Sequence, residues 1–188
     1  MTATILWTAF EYGDYPASPF PADIALEAGA SYEAGSQAVA TAWAMVSSFT
    51  RRAYRSVTSA VVVVRENGCS LFQWPIHPAP AALTIHYLTS PGFDWAECGA
   101  KYLPEIGADL DGPGTYRLTQ TGEVAAPTIP PHVLNAVANL AIYLLVQAPQ
   151  RREFKTQGAG DSNFTRESLM GYLWGSGAGP MLVDQVRL

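Results

Sequence analysis

Apolar residues recur at intervals of three and four between residues 31 and 54. One helical face collects seven of them: Ala38, Val39, Ala42, Trp43, Val46, Phe49 and Ala53. Ser31 can cap the first turn, and Glu33 complements the partial positive charge at that end of a helix. The pattern predicts a first long helix over residues 31–54.

A second stripe, broader and more apolar, follows two prolines near residue 130. Its members are Val133, Leu134, Val137, Leu140, Ala141, Leu144 and Leu145. Pro130 and Pro131 suit a helix start, whereas Pro149 lacks the N–H that a helix interior needs. The stripe predicts a second long helix over residues 130–147, stopped by Pro149.

Between the two helices the pattern is that of strands. Residues 59–65 are rich in β-branched side chains, Asn67-Gly68 is a strong turn signal, and residues 69–74 can form the returning strand of a hairpin. Residues 83–88 alternate between polar and apolar, as a half-buried strand does. Further short strands are expected over 101–106 and 116–119, with a loop at 107–114.

Both ends of the chain read as extended. Residues 1–30 combine prolines with five aromatic side chains, which predicts an arm lying along a surface. Near the other end, a polar loop and a short helix over 165–174 precede the glycine-rich run 175–179. The last residues form an apolar tail, which either packs on its own domain or docks on a partner.

Composition favours a protein that buries surface against partners. Charged residues make up only 14% of the 188 residues, against roughly 25% in typical soluble domains. The net charge of −5 argues against a protein that clamps nucleic acid, because such a protein needs a basic face. Neither the start of the chain nor residues 133–146 resembles a signal peptide or membrane span, so we expect a soluble, intracellular chain.

No pattern of catalytic or metal-binding residues stands out. The three histidines, His77, His86 and His132, are scattered and lack ligand spacing, and Cys69 and Cys98 form no CxxC pair. Ser176 lies between glycines but follows a helix, which is the wrong context for a nucleophile elbow. We therefore expect no enzyme activity, no metal and no cofactor.

The order of the parts resembles the phage head-to-tail connector (adaptor) family, which also occurs in gene transfer agents. A first helix ends in the aromatic and basic segment Phe49-Thr-Arg-Arg-Ala-Tyr54, and a β segment with Trp74-Pro-Ile-His-Pro-Ala-Pro80 and Leu83-Thr-Ile-His-Tyr-Leu88 follows. A second helix opens with Ile129-Pro-Pro-His-Val-Leu-Asn-Ala-Val137 and closes before Gln150-Arg-Arg-Glu153. The resemblance covers roughly residues 25–155.

This resemblance implies an α+β fold: a mainly helical connector core of two long helices, with an inserted small antiparallel β segment and extended termini. The corresponding organisation is an extended N-terminal arm at 1–30, a connector core at 31–150, and a loop, short helix and C-terminal docking tail at 151–188. The implied function is a structural protein in the neck of a virion, made in the bacterial cytoplasm, with no membrane association.

The resemblance also implies partners. Members form a ring, expected here to be a dodecamer on the portal protein, and a stopper or tail-neck protein follows on the other side. DNA passes through the channel without specific binding, which an acidic ring would allow. By resemblance, the portal-binding residues would be Leu169, Tyr172, Leu173, Trp174, Met181, Leu182, Val183, Val186 and Leu188.

Five arginines are candidates for subunit-interface or neck contacts: Arg51, Arg52, Arg55, Arg151 and Arg152. The first three can equally form a solvated helix end, since cations favour the negative end of the helix dipole. Three other functions remain open: a stopper or tail-completion protein, which would be richer in strands; a monomeric binding module with a self-packed tail; and a small enzyme. Removing residues 175–188 is expected to leave the fold intact and to abolish portal docking.

Overall fold

A computed structural model describes residues 3–68, 70–89, 94–155 and 169–186, with side chains left undescribed at 70, 148–155 and 169–170. The chain forms two compact units, each built from two separate stretches of sequence. The β unit contains residues 1–14 and 55–127, and the helical unit contains residues 15–54 and 128–188.

Strands and helices fall into these two units without mixing. The strands are β1 (Thr4–Tyr12), β2 (Val57–Glu66), β3 (Ser70–Phe72), β4 (Ala82–Leu88), β5 (Trp95–Glu97), β6 (Tyr102–Leu103), β7 (Gly107–Leu110) and β8 (Gly114–Thr121). The helices are α1 (Pro21–Ala28), α2 (Tyr32–Thr50), α3 (Pro131–Lys155), α4 (Leu169–Gly175) and α5 (Ala178–Leu182), followed by a 3₁₀ turn at Val183–Gln185.

The main sheet of the β unit has five strands in the order β1-β2-β8-β4-β5, and every neighbouring pair is antiparallel. Val62 of β2 lies opposite Leu118 of β8, which lies opposite Ile85 of β4, and all three are buried. This cross-strand row forms the centre of the buried face. The alternation along β2 arises because successive side chains in a strand point to opposite faces.

A second, smaller sheet has the order β3-β7-β6. Gly107 begins β7 with a φ of +128°, and a Cβ at this position would collide with the carbonyl oxygen of Phe72. Both the backbone conformation and the close approach of β3 therefore require glycine here.

The helical unit has its core between α2, α3 and α5. The largest buried side chains at this core include Trp43, Val46, Val137, Leu140, Leu173 and Leu182. The Tyr15 ring stacks on Trp43 with centroids 5.9 Å apart. Helices α1 and α2 pack closely at Gly35, where a Cβ would lie 2.6 Å from the carbonyl oxygen of Pro21.

The expected fold class is wrong in its proportions. The chain does have an α-helical and a β part, but the β part is a five-stranded antiparallel sheet with a second three-stranded sheet, and not a small insertion in a mainly helical core. Five α-helices, not two, occur in the described residues. Sequence reasoning underestimated the sheet because β1 and β5 carry no clear alternation of polar and apolar residues.

The extended termini are also wrong. Residues 4–12 form β1, which pairs with β2 along its length, and residues 21–28 form α1. At the other end, residues 178–185 are helical. The functional division into arm, connector core and docking tail stays a prediction, because it concerns assembly in a particle.

The expected hairpin between residues 59–65 and 69–74 does not form. Strand β2 pairs with β1 and β8, while β3 pairs with β7 in the other sheet. The Asn67-Gly68 turn is instead bound by the buried Glu66 side chain, whose Oε1 accepts hydrogen bonds from the N–H groups of Asn67 and Gly68, both at 3.0 Å. The turn therefore redirects the chain out of the main sheet.

The two long helices are confirmed, with differences at their C-terminal ends: α2 ends at Thr50 and not at residue 54, and α3 runs beyond residue 147. Helix α2 begins after Ser31, whose Oγ accepts a hydrogen bond from the Ala34 N–H at 3.3 Å, as expected of an N-cap. Helix α3 continues through Pro149 to Lys155. Pro149 removes one backbone hydrogen bond from α3. The other backbone hydrogen bonds of this long helix hold the turns before and after it.

We expect Leu140→Asp to unfold the helical unit. Leu140 is fully buried in the core, and an unpaired carboxylate there would cost more than about 3 kcal/mol. Thermal unfolding followed by circular dichroism measures the effect. Asn139→Asp is the control, because Asn139 is exposed on the same helix. A Leu140→Asp protein as stable as wild type would contradict this packing.

We expect Glu66→Ala to destabilise the protein by about 1–3 kcal/mol, because the two turn N–H groups lose their acceptor. Glu66→Gln retains a side-chain oxygen and should lose less. Urea titration measures both free energies of unfolding, with the exposed Glu123→Ala as control. Equal losses for the Ala and Gln variants would show that the hydrogen bonds to the turn are unimportant.

Candidate assembly surfaces

The C-terminal segment divides into buried and exposed apolar residues. Leu173 of α4 and Leu182 of α5 are fully buried in the core of the helical unit. Trp174, Met181 and Val183 are exposed by 49%, 38% and 50% respectively. The tail therefore packs on its own chain through one set of residues and presents another set to solvent.

This division reduces the number of the predicted portal-binding residues that a partner could contact. Leu173 and Leu182 have no surface to offer in this conformation, and Tyr172 and Val186 are half-buried. The side chain of Leu169 and the whole of Leu188 lie outside the described residues. Since Leu182 and Ala178 are core residues, deleting residues 175–188 would open the core, contrary to the expectation that the fold survives.

Two glycines shape this part of the surface. A Cβ at Gly179 would lie 2.9 Å from the Trp174 indole, so the ring rests directly on the backbone of α5. A Cβ at Gly175 would lie 2.8 Å from the Tyr143 hydroxyl, which brings the end of α4 against α3. Trp174 is thus held in place while about half of it stays exposed, as is common for anchor residues of interfaces.

The arginines at the end of α2 have distinct roles. Arg52 donates a hydrogen bond from Nε to the carbonyl oxygen of Gln185 at 2.7 Å, which ties the C-terminal 3₁₀ turn to the end of α2. Arg51 is exposed and ends the helix with a φ of +54°, the left-handed conformation that glycine usually supplies. Arg52 therefore stabilises the tail in its own chain, whereas Arg51 faces solvent.

Arg55 belongs to the β unit. Its guanidinium carbon lies 4.2 Å from the centroid of the Tyr12 ring, and its Nη1 donates a hydrogen bond to the Gly13 carbonyl oxygen at 3.5 Å. These contacts join the end of β1 to the chain entering β2. Arg151 and Arg152 lie in α3, but their side chains are outside the described residues.

The aromatic end of the α2 segment is structural. The Tyr54 ring lies 5.6 Å from Trp43 and is buried. Burial raises the pKa of the Tyr54 phenol, while the Thr50 hydroxyl and the Arg52 guanidinium act in the opposite direction. Thr50 donates its own hydrogen bond to the Val46 carbonyl at 2.8 Å. The phenol thus stays protonated at neutral pH.

A small cleft of about 250 Å³ lies in the helical unit between α1, α3 and the end of α4. Its lining includes Glu27, Asn139, Tyr143, Val146 and Ser176. The cleft is smaller than the roughly 300–1,000 Å³ of small-molecule sites. The Ser176 hydroxyl donates to the Leu173 carbonyl at 3.1 Å and accepts from the Ala178 N–H at 3.3 Å, so it links the end of α4 to the start of α5.

The histidines and acidic residues form no site within the described ranges. His86 lies on β4 opposite Arg117 of β8, and His132 is exposed at the start of α3. The Arg117 guanidinium packs over the Trp95 ring, 4.8 Å from its centroid. No three metal-ligating side chains come together in the described part of the chain. No described helix has the length and apolarity of a membrane span.

Sequence reasoning missed an apolar surface at the start of the chain. Ile5, Leu6 and Trp7 of β1 are exposed by 44%, 47% and 55%. The aromatic density of this region was a signal, but it was assigned to an irregular arm. A second missed group lies on and beside α1 in the helical unit, where Phe20, Leu26 and Tyr32 are exposed.

Comparison with known proteins gives structural neighbours only. No protein-family model and no curated protein matches the chain. It is similar to a chain from the neck of an empty gene transfer agent particle computed with C6 symmetry, with 15% identity, a TM-score of 0.48, and coverage of 91% of this chain and 95% of that one.

Two further neighbours have the same kind of source. One comes from the neck of the native gene transfer agent particle computed with C12 symmetry, with 16% identity, a TM-score of 0.42, and coverage of 89% of this chain and 94% of that one. The other comes from the virion of the native particle, with 16% identity, a TM-score of 0.43, and coverage of 93% and 94%.

We expect Arg52→Gln to loosen the C-terminal turn. The variant loses the bond to the Gln185 carbonyl, so amide hydrogen exchange at residues 183–186 should accelerate several-fold while the core of α2 stays protected. Hydrogen exchange read by mass spectrometry measures this. Arg51→Gln is the matched control, since Arg51 is exposed and one residue away. Unchanged exchange in Arg52→Gln would show that this bond does not hold the tail.

Proposed function

We propose that the chain is a structural protein of the neck of a phage-like particle, and specifically a connector subunit that forms a ring on the portal. The observation that carries the proposal is the exposure of large apolar side chains in both units. Fourteen are exposed within the described residues, in a chain whose charged fraction is 14%. Contiguous apolar patches on a protein surface mark interaction sites, whereas apolar residues exposed singly are common.

Several of these apolar residues are neighbours along the chain or lie on and beside one helix. Trp174, Met181 and Val183 are close in sequence at the end of the helical unit, while Phe20, Leu26 and Tyr32 lie on and beside α1. A ring subunit needs separate surfaces for its two neighbours and its axial partners, because head-to-tail contacts use different patches on each copy. Several apolar groups on one chain support this kind of assembly better than a single binding site does.

The order of elements supports the connector assignment. A long helix with an aromatic and basic end, a β segment, and a second long helix after a proline pair follow one another as in the connector family. In the proposed complex, Trp174, Met181 and Val183 contact the portal. Of the three candidate arginines whose side chains are described, Arg51 is the exposed one. It is therefore available to a neighbouring subunit or neck protein.

The amount of sheet favours a second candidate. Stopper and tail-completion proteins are richer in strands than connectors, and this chain has eight strands within the described residues. Such a protein would also form part of the neck but would contact the connector ring and not the portal. The two candidates differ in the position of the chain along the axis of the particle.

The test is electron microscopy of the purified chain mixed with portal rings from the same particle, with the chain alone as control. The connector proposal expects added density stacked coaxially on the portal with matching rotational symmetry. Density that appears only when a connector ring is also present would support the stopper. A compact monomer in both samples would contradict the connector proposal and would favour the stopper or a monomeric binding module.

We expect Trp174→Ala to weaken portal binding at least about tenfold, because a half-exposed, preorganised tryptophan is a strong interface anchor. Trp7→Ala is the matched control, since Trp7 is exposed to a similar degree but belongs to the β unit. Binding is measured by co-sedimentation with portal rings, and circular dichroism verifies the fold. Equal losses in both variants would contradict the assignment of the C-terminal surface to the portal.

A further inference from the structure

Strand β1 lies at an edge of the main sheet, with no strand of the described residues along its outer side. Three consecutive large apolar residues, Ile5, Leu6 and Trp7, are each about half exposed. Natural edge strands are usually protected by charged residues, by proline, by short length or by a β-bulge that twists the edge away. Residues 4–10 contain neither a charge nor a proline, and β1 is nine residues long.

The register between β1 and β2 has a β-bulge near the start of β1. Ile5 lies opposite Val64 and Trp7 opposite Val63, so Leu6 has no partner on β2. Its side chain is exposed by 47%. From Trp7 to Glu11 the pairing with β2 is regular, so the bulge at Leu6 interrupts only the first part of the strand.

The direction of the strands indicates which partner fits this edge. Since all neighbours in the five-stranded sheet are antiparallel, β1 and β5 run in the same direction. Copies joined head-to-tail in the same orientation would therefore place β5 of one copy parallel to β1 of the next. Such a pairing would be short, because β5 has only three residues. Two copies joined through β1 about a two-fold axis would pair antiparallel, which is the more stable arrangement, over a longer strand.

A two-fold pairing centred on Trp7 is also free of charge conflict. Trp7 would lie opposite Trp7 of the second copy, Thr4 opposite Phe10, and Ile5 opposite Ala9. Every residue in this register from 4 to 10 is uncharged, so no like charges face each other across the strands. Glu11 falls beyond the paired segment.

We propose that β1 is a self-association strand, through which two copies of this chain pair antiparallel about a two-fold axis at Trp7. The three side chains expose on the order of 300 Å² per copy, which is less than the roughly 600 Å² per partner at the small end of stable interfaces. The pair is therefore reversible. It goes beyond the proposed function, because a closed two-fold contact covers the sheet edge of the free chain and does not build a ring.

Analytical ultracentrifugation of the full chain tests the proposal over a range of micromolar to submillimolar concentrations. The weight-average mass of wild type should rise from 20.2 kDa towards twice that value. Leu6→Lys should raise the dimer dissociation constant at least about tenfold, because two lysines meet near the axis. The matched control is Leu26→Lys, an equally apolar and more exposed site on α1 of the helical unit, which should dimerise like wild type.

Cysteine trapping tests the register independently. In a Cys69→Ser, Cys98→Ser background, Trp7→Cys should form a disulfide-linked dimer under mild oxidation, because directly opposed residues in antiparallel strands bring their Cβ atoms to about 4.5–5.5 Å. Leu26→Cys, at the same concentration, should cross-link much less. Equal cross-linking at both positions would overturn the proposed register.

Other outcomes separate this proposal from the proposed function. A wild-type chain that stays monomeric at all concentrations, or a dimer that Leu6→Lys leaves intact, overturns the β1 pairing. Such a chain could still bind portal rings, and the connector proposal would then stand alone. Conversely, a Leu6→Lys-sensitive dimer that never binds portals would support the β1 pairing while the connector proposal fails.

Discussion

The β unit depends on the position of β2 between β1 and β8. These three strands come from distant parts of the sequence, and β2 supplies hydrogen bonds to both neighbours. Its buried residues Val62 and Val64 lie on the face that also holds Leu118 and Ile85. Because both sides of β2 are occupied, β3 cannot fold back on it and pairs with β7.

The same constraint produces the open edge. Once β8 takes one side of β2, the other side is available to the N-terminal residues, and β1 becomes the outermost strand. Its inner side completes the sheet, while Ile5, Leu6 and Trp7 have no further strand to cover them. The central position of β2 thus explains both the buried residues of the sheet and the exposed apolar residues of β1.

The two long helices were predictable from the sequence because their signals are local, whereas α1 and α5 were not predicted. Ser31 caps α2, and the apolar stripes of α2 and α3 form the core as their spacing indicates. Strand pairing was not predictable, because Asn67-Gly68 specifies a turn but not which strands meet after it. The turn is real, yet Glu66 binds its N–H groups and the chain leaves for another sheet. The apolar pattern identified the C-terminal segment as a candidate docking surface. It could not distinguish the buried Leu182 from the exposed Val183.

The two units are interleaved along the chain, since each consists of two stretches separated by part of the other. Neither unit can therefore be produced as one uninterrupted fragment. During synthesis, the apolar stripe of α2 leaves the ribosome long before α3 can cover it, and the whole second stretch of the β unit is made in between. Formation of the helical core thus requires contacts between residues far apart in sequence, which slows folding. The tryptophan of α2 therefore has no α3 to pack against until residues 51–130 have been translated.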